Sequence, residues 1–209
     1  MKIVAISDTH CQHRKIILPV GDMIIHAGDV SNEGTEGEVL SFLKWFSGLN
    51  FKYKIFIAGN HDFFFDGETD KYLSTIIPYN IVYLNDNGIN IEGINIWGSP
   101  VTPWLYDGAF NRTRGSNIAK HWKMIPVETD ILITHGPAYG ILDQNRFNYA
   151  AGCKSLKTAL QKIKPKVHIC GHIHEAYGQQ VFGNTTCINA CILDQNDCVR
   201  NPPILFYYS

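Results

Sequence analysis

An α/β chain with a second sheet packed on the first is predicted, on three observations. Apolar runs of strand length recur at 2–7, 22–28, 54–59, 130–134 and 166–171. Stretches of helical period stand between several of them, and hairpin signals crowd the segment 79–99. With 209 residues and 45% hydrophobic content, the chain can build one substantial core and is short for two, so a single domain over 1–209 is expected.

The first run, KIVAIS, is apolar throughout, as suits a strand buried on both faces. It closes in Asp8-Thr9-His10, where a carboxylate and an imidazole leave one strand end together and can face one divalent transition metal. The second, DMIIHAG, ends in Gly28-Asp29. A carboxylate can give one oxygen to each of two cations, so Asp29, nearest the middle of the cluster, is the candidate bridge. His26 lies mid-strand and reads as a core histidine. After a loop over 30–35, residues 36–49 carry Val39, Leu40, Leu43 and Phe46 at helical spacing, returning the chain for the third strand.

That strand, KIFIAG, stops at Gly59 and presents Asn60, His61 and Asp62 in succession. A neutral asparagine carbonyl beside a shared carboxylate limits the negative charge of a two-cation site. Gly28, Gly59 and Gly171 each precede a proposed ligand, where a missing Cβ lets backbone come close to the ions. Downstream, Asn-Asp-Asn-Gly at 85–88 and Glu-Gly at 92–93 read as hairpin turns. Residues 100–122 form a long loop with a short helix, in which Trp104, Asn111, Arg112 and Arg114 are candidates for substrate contact.

DILIT delivers His135. The helix KSLKTALQKI, apolar on Leu156, Leu160 and Ile163, leads through Pro165 to KVHICG and then to His172 and His174. Those two imidazoles can address two ions, or one ion from adjacent sides. His13, His121 and His168 are assigned to core or surface. The six cysteines, with no CxxC pair, read as reduced thiols outside the site. Ligands of open α/β sheets bind beyond the carboxyl ends of strands, so the five endings together predict one two-metal centre.

The ordered set Asp8-x-His10, Gly28-Asp29, Gly59-Asn60-His61-Asp62, His135 and Gly171-His172-x-His174 resembles the calcineurin-like metallophosphoesterase superfamily over nearly the whole chain. More narrowly, YKIFIAGNHD, WGSP, DILITHGP, GHIHEAYG and NPPI resemble the small metallophosphoesterase-domain-containing group, relatives of class III cyclic-nucleotide phosphodiesterases. The resemblance implies a four-layer αββα sandwich of two mixed β-sheets flanked by helices. It implies one metal on Asp8, His10, Asp29 and His174, and another on Asp29, Asn60, His135 and His172. Attack would come from hydroxide that the metals generate, with His61 as general acid and Asp62 holding its imidazole in the required tautomer. Relatives often carry Glu where this chain has Asp62.

Donors of nitrogen and oxygen without thiolate admit Mn, Fe, Zn, Co or Ni, with two Mn²⁺ ions the leading expectation. A net charge of -1 supplies no basic face for an extended nucleic acid, so a small phosphodiester, a cyclic nucleotide or similar, is the expected substrate. A phosphomonoesterase, a protein phosphatase, a nuclease and a non-catalytic scaffold are the alternatives; an intact ligand set argues against the last. No run approaches the roughly 18 apolar residues of a membrane helix, and the N-terminus lacks a signal-peptide core, so a cytoplasmic protein without membrane contact is expected. Oligomeric state is left open, a homodimer included.

Overall fold

A computed structural model describes residues 1–208. Its strands begin with β1 (Lys2–Ile6), β2 (Met23–Ala27), β3 (Tyr53–Ile57) and β4 (Val82–Tyr83). Next come β5 (Asn87–Ile91), β6 (Ile94–Ser99) and the short pair β7 (Thr102–Pro103) and β8 (Asn111–Arg112). The last are β9 (Ile131–Thr134), β10 (Val167–Cys170), β11 (Gly178–Phe182), β12 (Thr185–Asn189) and β13 (Ile204–Tyr207). Among the described residues they form a five-stranded sheet ordered β13-β1-β2-β3-β4 and a six-stranded sheet ordered β11-β12-β10-β9-β6-β5, with β7-β8 apart. Both large sheets are mixed, with parallel pairs at their centres and antiparallel β13, β11 and β5 toward the edges.

The central strands are mostly apolar because each buries both faces, and alternate residues enter different layers. Ile3, Ala5, Ile25, Ile55 and Ile57 of the first sheet meet Ile96, Ile131, Ile133 and Ile169 of the second in a core between the sheets. The alternate positions Val4, Ile6, Ile24 and Phe56 face outward against helix α1 (Glu36–Ser47). The short α2 (Phe63–Gly67) and α3 (Asp70–Ile76) cover the same side. Leu132 and Cys187 face α4 (Ser116–Met124) and α5 (Lys154–Ile163) on the far side. Two sheets and two helical layers thus make the expected αββα sandwich.

Helix α1 starts in a capping box: Glu38 N–H donates to Thr35 Oγ1, and Thr35 N–H donates to Glu38 Oε2. Its buried stripe is Val39, Phe42, Leu43 and Phe46, at offsets of three, four and seven. Leu40, expected on that stripe, is 42% exposed, and Phe42 stands in its place. The hairpin expectation holds at Glu92-Gly93, where φ is 51° and 84° between β5 and β6. It fails at 85–88. Leu84 N–H still bonds Phe56 O in the first sheet, whereas Asn87 pairs with Gly98 in the second. The Asn-Asp-Asn-Gly stretch is therefore the crossing between sheets.

His26 and His168 are buried on strands, as expected for core histidines. His26 Nδ1 accepts from Gly28 N–H, which leaves its proton on Nε2 to donate to Thr9 Oγ1 at 3.0 Å. Burial pushes its pKa down to about 3, and that of His168 down to about 4. The unfolded chain, with histidine pKa near 6.5, binds more protons below that pH, so stability falls as pH drops from about 6.5 toward 4. Each group contributes about 1.4 kcal/mol per pH unit in that window. Urea midpoints in chelator should fall from pH 7 to pH 5, and His168→Gln should flatten part of the slope. Midpoints indifferent to pH would count against neutral burial.

Candidate metal centre

The five predicted endings meet at one edge of the two sheets. Backbone bonds align them: Asp8 N–H donates to Gly28 O at 2.9 Å, His10 N–H to Asp29 O at 3.1 Å, and Gly171 N–H to His135 O at 2.9 Å. The two sheets are tied directly here. His172 N–H donates to both Asp8 carboxylate oxygens at 3.0 Å, and His135 Nδ1 donates to Ala27 O at 2.9 Å. Asp8, His10, Asp29 and His172 all have positive φ, between 37° and 69°, so the turns that aim these side chains carry backbone strain of about 1–3 kcal/mol each. Packing leaves no room beside them. A Cβ on Gly171 would strike the Asp8 carboxylate, and one on Gly59 would strike that of Asp29.

Asp29 is the shared member of the cluster. Its Oδ2 lies 3.1 Å from His135 Nε2 and 3.6 Å from His10 Nε2, while Oδ1 accepts His61 N–H at 2.8 Å. Asn60 Oδ1 lies 3.0 Å from His135 Nε2. Asp29, His135 and His172 offer donor atoms within 4.8 Å of one another, as do His10, Asp29 and His61, and also Asp8, His174 and Cys191. His174 is held from outside: its Nδ1 is 3.2 Å from Asp197 Oδ1 and its Nε2 3.5 Å from Asp8 Oδ1. That arrangement, a carboxylate behind an imidazole, leaves Nε2 facing Asp8, and it is the orientation a metal-binding histidine needs.

The electrostatics fit a cation site. Asp8 and Asp29 are 0% and 2% exposed, and among the described residues no Lys or Arg pairs with either. Burial opposes their ionisation, yet His174 beside Asp8 and His135 beside Asp29 hold both carboxyls below the ordinary range. The imidazoles respond in kind. Burial disfavours charge on His135, but Asp29 raises it to about 10; His174 rises to about 9 against the same burial penalty, through Asp8. His172, desolvated and facing His135, falls to about 4. Two buried carboxylates thus favour protons on the imidazoles of His135 and His174, and divalent cations can take the place of those protons.

His61 lines a cleft of about 580 Å³ above this cluster, with its Nδ1 2.9 Å from Asn32 O. Asp62 does not touch the imidazole, contrary to the role expected from the sequence. Its carboxylate accepts from Val30 N–H, Ser31 N–H, Ser31 Oγ and Gly59 N–H, bracing the turns after β2 and β3. Burial and the nearby Asp29 charge raise its pKa to about 6. The adjacent Cys11 is held as a thiol by burial, at about 11.

Of the loop candidates, Trp104 bonds Asp107, Asn111 bonds Leu105 O and Thr102, Arg112 bonds Asn111 O, and Arg114 bonds the carbonyls of Ala151 and Gly152. The cleft is lined from that loop by Leu105, Tyr106 and Gly108 instead. Cys191, read as outside the site, donates its S–H to Asp8 Oδ2 at 2.9 Å. A signal for it existed: TTCINAC is another apolar run with a ligand-type ending, and Cys191 bridges to Ser7 at the end of β1.

Two sheets whose strand ends converge on paired carboxylates, imidazoles and an amide define a phosphoesterase domain, and the chain belongs to the calcineurin-like phosphoesterase family, whose model matches residues 1–176. Metallophosphoesterase domain-containing protein 1 of Homo sapiens is 39% identical over 227 residues, a match taking in 98% of this chain and 70% of that protein. A UPF0046 protein of Caenorhabditis elegans is 40% identical over 219 residues, covering 99% of this chain and 75% of its own. Phosphopantetheinyl hydrolase from Mycobacterium tuberculosis shares the fold with a TM-score of 0.62 at 13% identity, over 94% of this chain and 90% of its own. The family uses divalent metals, and the donor groups described above suit them.

Proposed function

We propose that the chain is a dinuclear-metal-dependent hydrolase of small phosphodiesters. One observation carries the reading: the buried Asp29 carboxylate stands between two sets of donors on the floor of an open cleft. One cation is assigned to Asp8, His10, Asp29 and His174, and the other to Asp29, Asn60, His135 and His172. When bound, two divalent cations, Mn²⁺ in our reading, neutralise phosphoryl oxygens and make water more acidic. The side chains supply the remaining roles. Asn32 O holds one ring proton of His61 on Nδ1, so the doubly protonated ring carries its second proton on Nε2 and gives that one to the departing alkoxide, becoming neutral. Asp62 holds the two turns that place His61 and Asp29.

The preference for diesters follows from charge. Glu175 and Asp197 join Asp29 on the cleft lining, so a diester monoanion enters against less repulsion than a monoester dianion. A net charge of -1 gives no field for a polynucleotide, which keeps the substrate small. The setting we propose is the cytoplasm, where six free thiols stay reduced; no helix among the described residues is long and apolar enough to cross a membrane. The Mn²⁺-loaded chain should hydrolyse bis-nitrophenyl phosphate with kcat/KM at least equal to that for nitrophenyl phosphate, lose both activities to EDTA and regain them with Mn²⁺. A monoester preference of about tenfold, about 1.4 kcal/mol in transition-state binding, would move the reading to a phosphatase.

A further inference from the structure

One arginine stands apart by its place. Arg112 and Arg114 donate to backbone carbonyls, Arg200 pairs with Asp194, and Arg14 is exposed away from the cleft lining. Arg146 lies on that lining. Its backbone N–H donates to Glu175 Oε1 at 3.1 Å, and its guanidinium carbon lies 5.0 Å from the centre of the Phe147 ring. Among the described residues no acceptor takes its guanidinium N–H groups. Among the described residues it is the one Lys or Arg lining the cleft.

Arg146 also lines a second cavity of about 650 Å³, and it shares Glu175 and Gln195 with the cleft, so these three form a saddle between the two spaces. The second cavity presents the amides of Gln144, Asn148 and Gln180. Its own carboxylate, Asp143, is occupied by the N–H groups of Gly140 and Gly152. A guanidinium anchored at its backbone, laid beside an aromatic ring and left with its donors free is suited to bidentate capture of a carboxylate or phosphate.

We propose that Arg146 docks a second anionic group on the substrate, remote from the scissile phosphorus, and that the saddle and the amide-lined cavity beyond it form a subsite for that end of the molecule. The substrate class is then a phosphoester carrying a further carboxylate or phosphate. This rests on the cleft being a phosphoester site. It stands beside the diester preference: Glu175 and Asp197 repel anions over the cleft as a whole, and Arg146 is the cation that offsets this for a second anion at the saddle.

Phosphonates test the inference without turnover. Calorimetric affinities of the Mn²⁺-loaded chain should favour 3-phosphonopropionate or propane-1,3-diphosphonate over propylphosphonate by about tenfold, the scale of one charge-assisted contact. The stronger of the two bifunctional ligands tells carboxylate from phosphate. In Arg146→Gln the ratio should fall to about one, and Arg146→Lys should keep part of it. Equal binding of all three by the wild-type chain, or an undiminished ratio in Arg146→Gln, would overturn the inference while leaving the phosphoester reading intact. Failure of every phosphonate to bind would overturn both.

Discussion

Asp29→Asn should lose metal and activity together. The amide keeps an oxygen for the His61 N–H, now bonded at 2.8 Å, so the turn after β3 has no reason to move. What disappears is the negative charge facing His135 and His10 at 3.1 and 3.6 Å. Without it, His135 also loses the attraction that raises its pKa against burial. A carboxylate shared by two ions contributes to both, so Mn²⁺ affinity should fall by more than the roughly 10–100-fold typical of an outer-shell change. Metal content after gel filtration and kcat/KM for a nitrophenyl diester are the two measurements. A variant holding two Mn²⁺ per chain with near wild-type turnover would rule out Asp29 as the bridge.

Replacing His61 with alanine should separate binding from chemistry. His61 belongs to a donor group with His10 and Asp29, but its Nδ1 is engaged by Asn32 O and its ring stands edge-on to that of His10, centroids 4.7 Å apart. Both metals should therefore remain in His61→Ala. The rate should drop by the roughly 10²–10⁴-fold carried by a positioned proton donor. Because a nitrophenolate leaves without help, the loss should shrink for aryl esters and be largest for alkyl ones. Equal losses across leaving groups would remove His61 from the proton-donor role, and loss of metal would make it a ligand.

The parts of this site that were legible in the sequence are those that a strand delivers by itself. Each ligand expected from the pattern follows a short apolar run within a few residues, so local order sufficed to list Asp8, His10, Asp29, Asn60, His135, His172 and His174. Contacts made across the fold left no such trace. Asp197 reaches His174 from 23 positions away, Asn32 O reaches the His61 ring, and Arg146 enters the cleft from a loop after β9. Adjacency misled at Asp62. At φ -92° and ψ 56° its carboxylate turns back to the backbone after β2, away from its neighbour's imidazole. The same holds for the core, where helical spacing named Leu40 but the three-dimensional stripe took Phe42.

The bonds from His172 to Asp8 and from His135 to Ala27 have a mechanical meaning. Apolar side chains between the sheets attract without direction, and such an interface resists separation better than sliding. Directional bonds at the strand ends resist sliding. The cluster therefore works as a rivet through the two inner layers, and any shear of one sheet over the other pulls Asp8 from His172 and His135 from Ala27. Cations gripping side chains from both sheets would stiffen this joint. Metal loading should thus be felt as rigidity far along β1 and β10, in strands that never touch an ion.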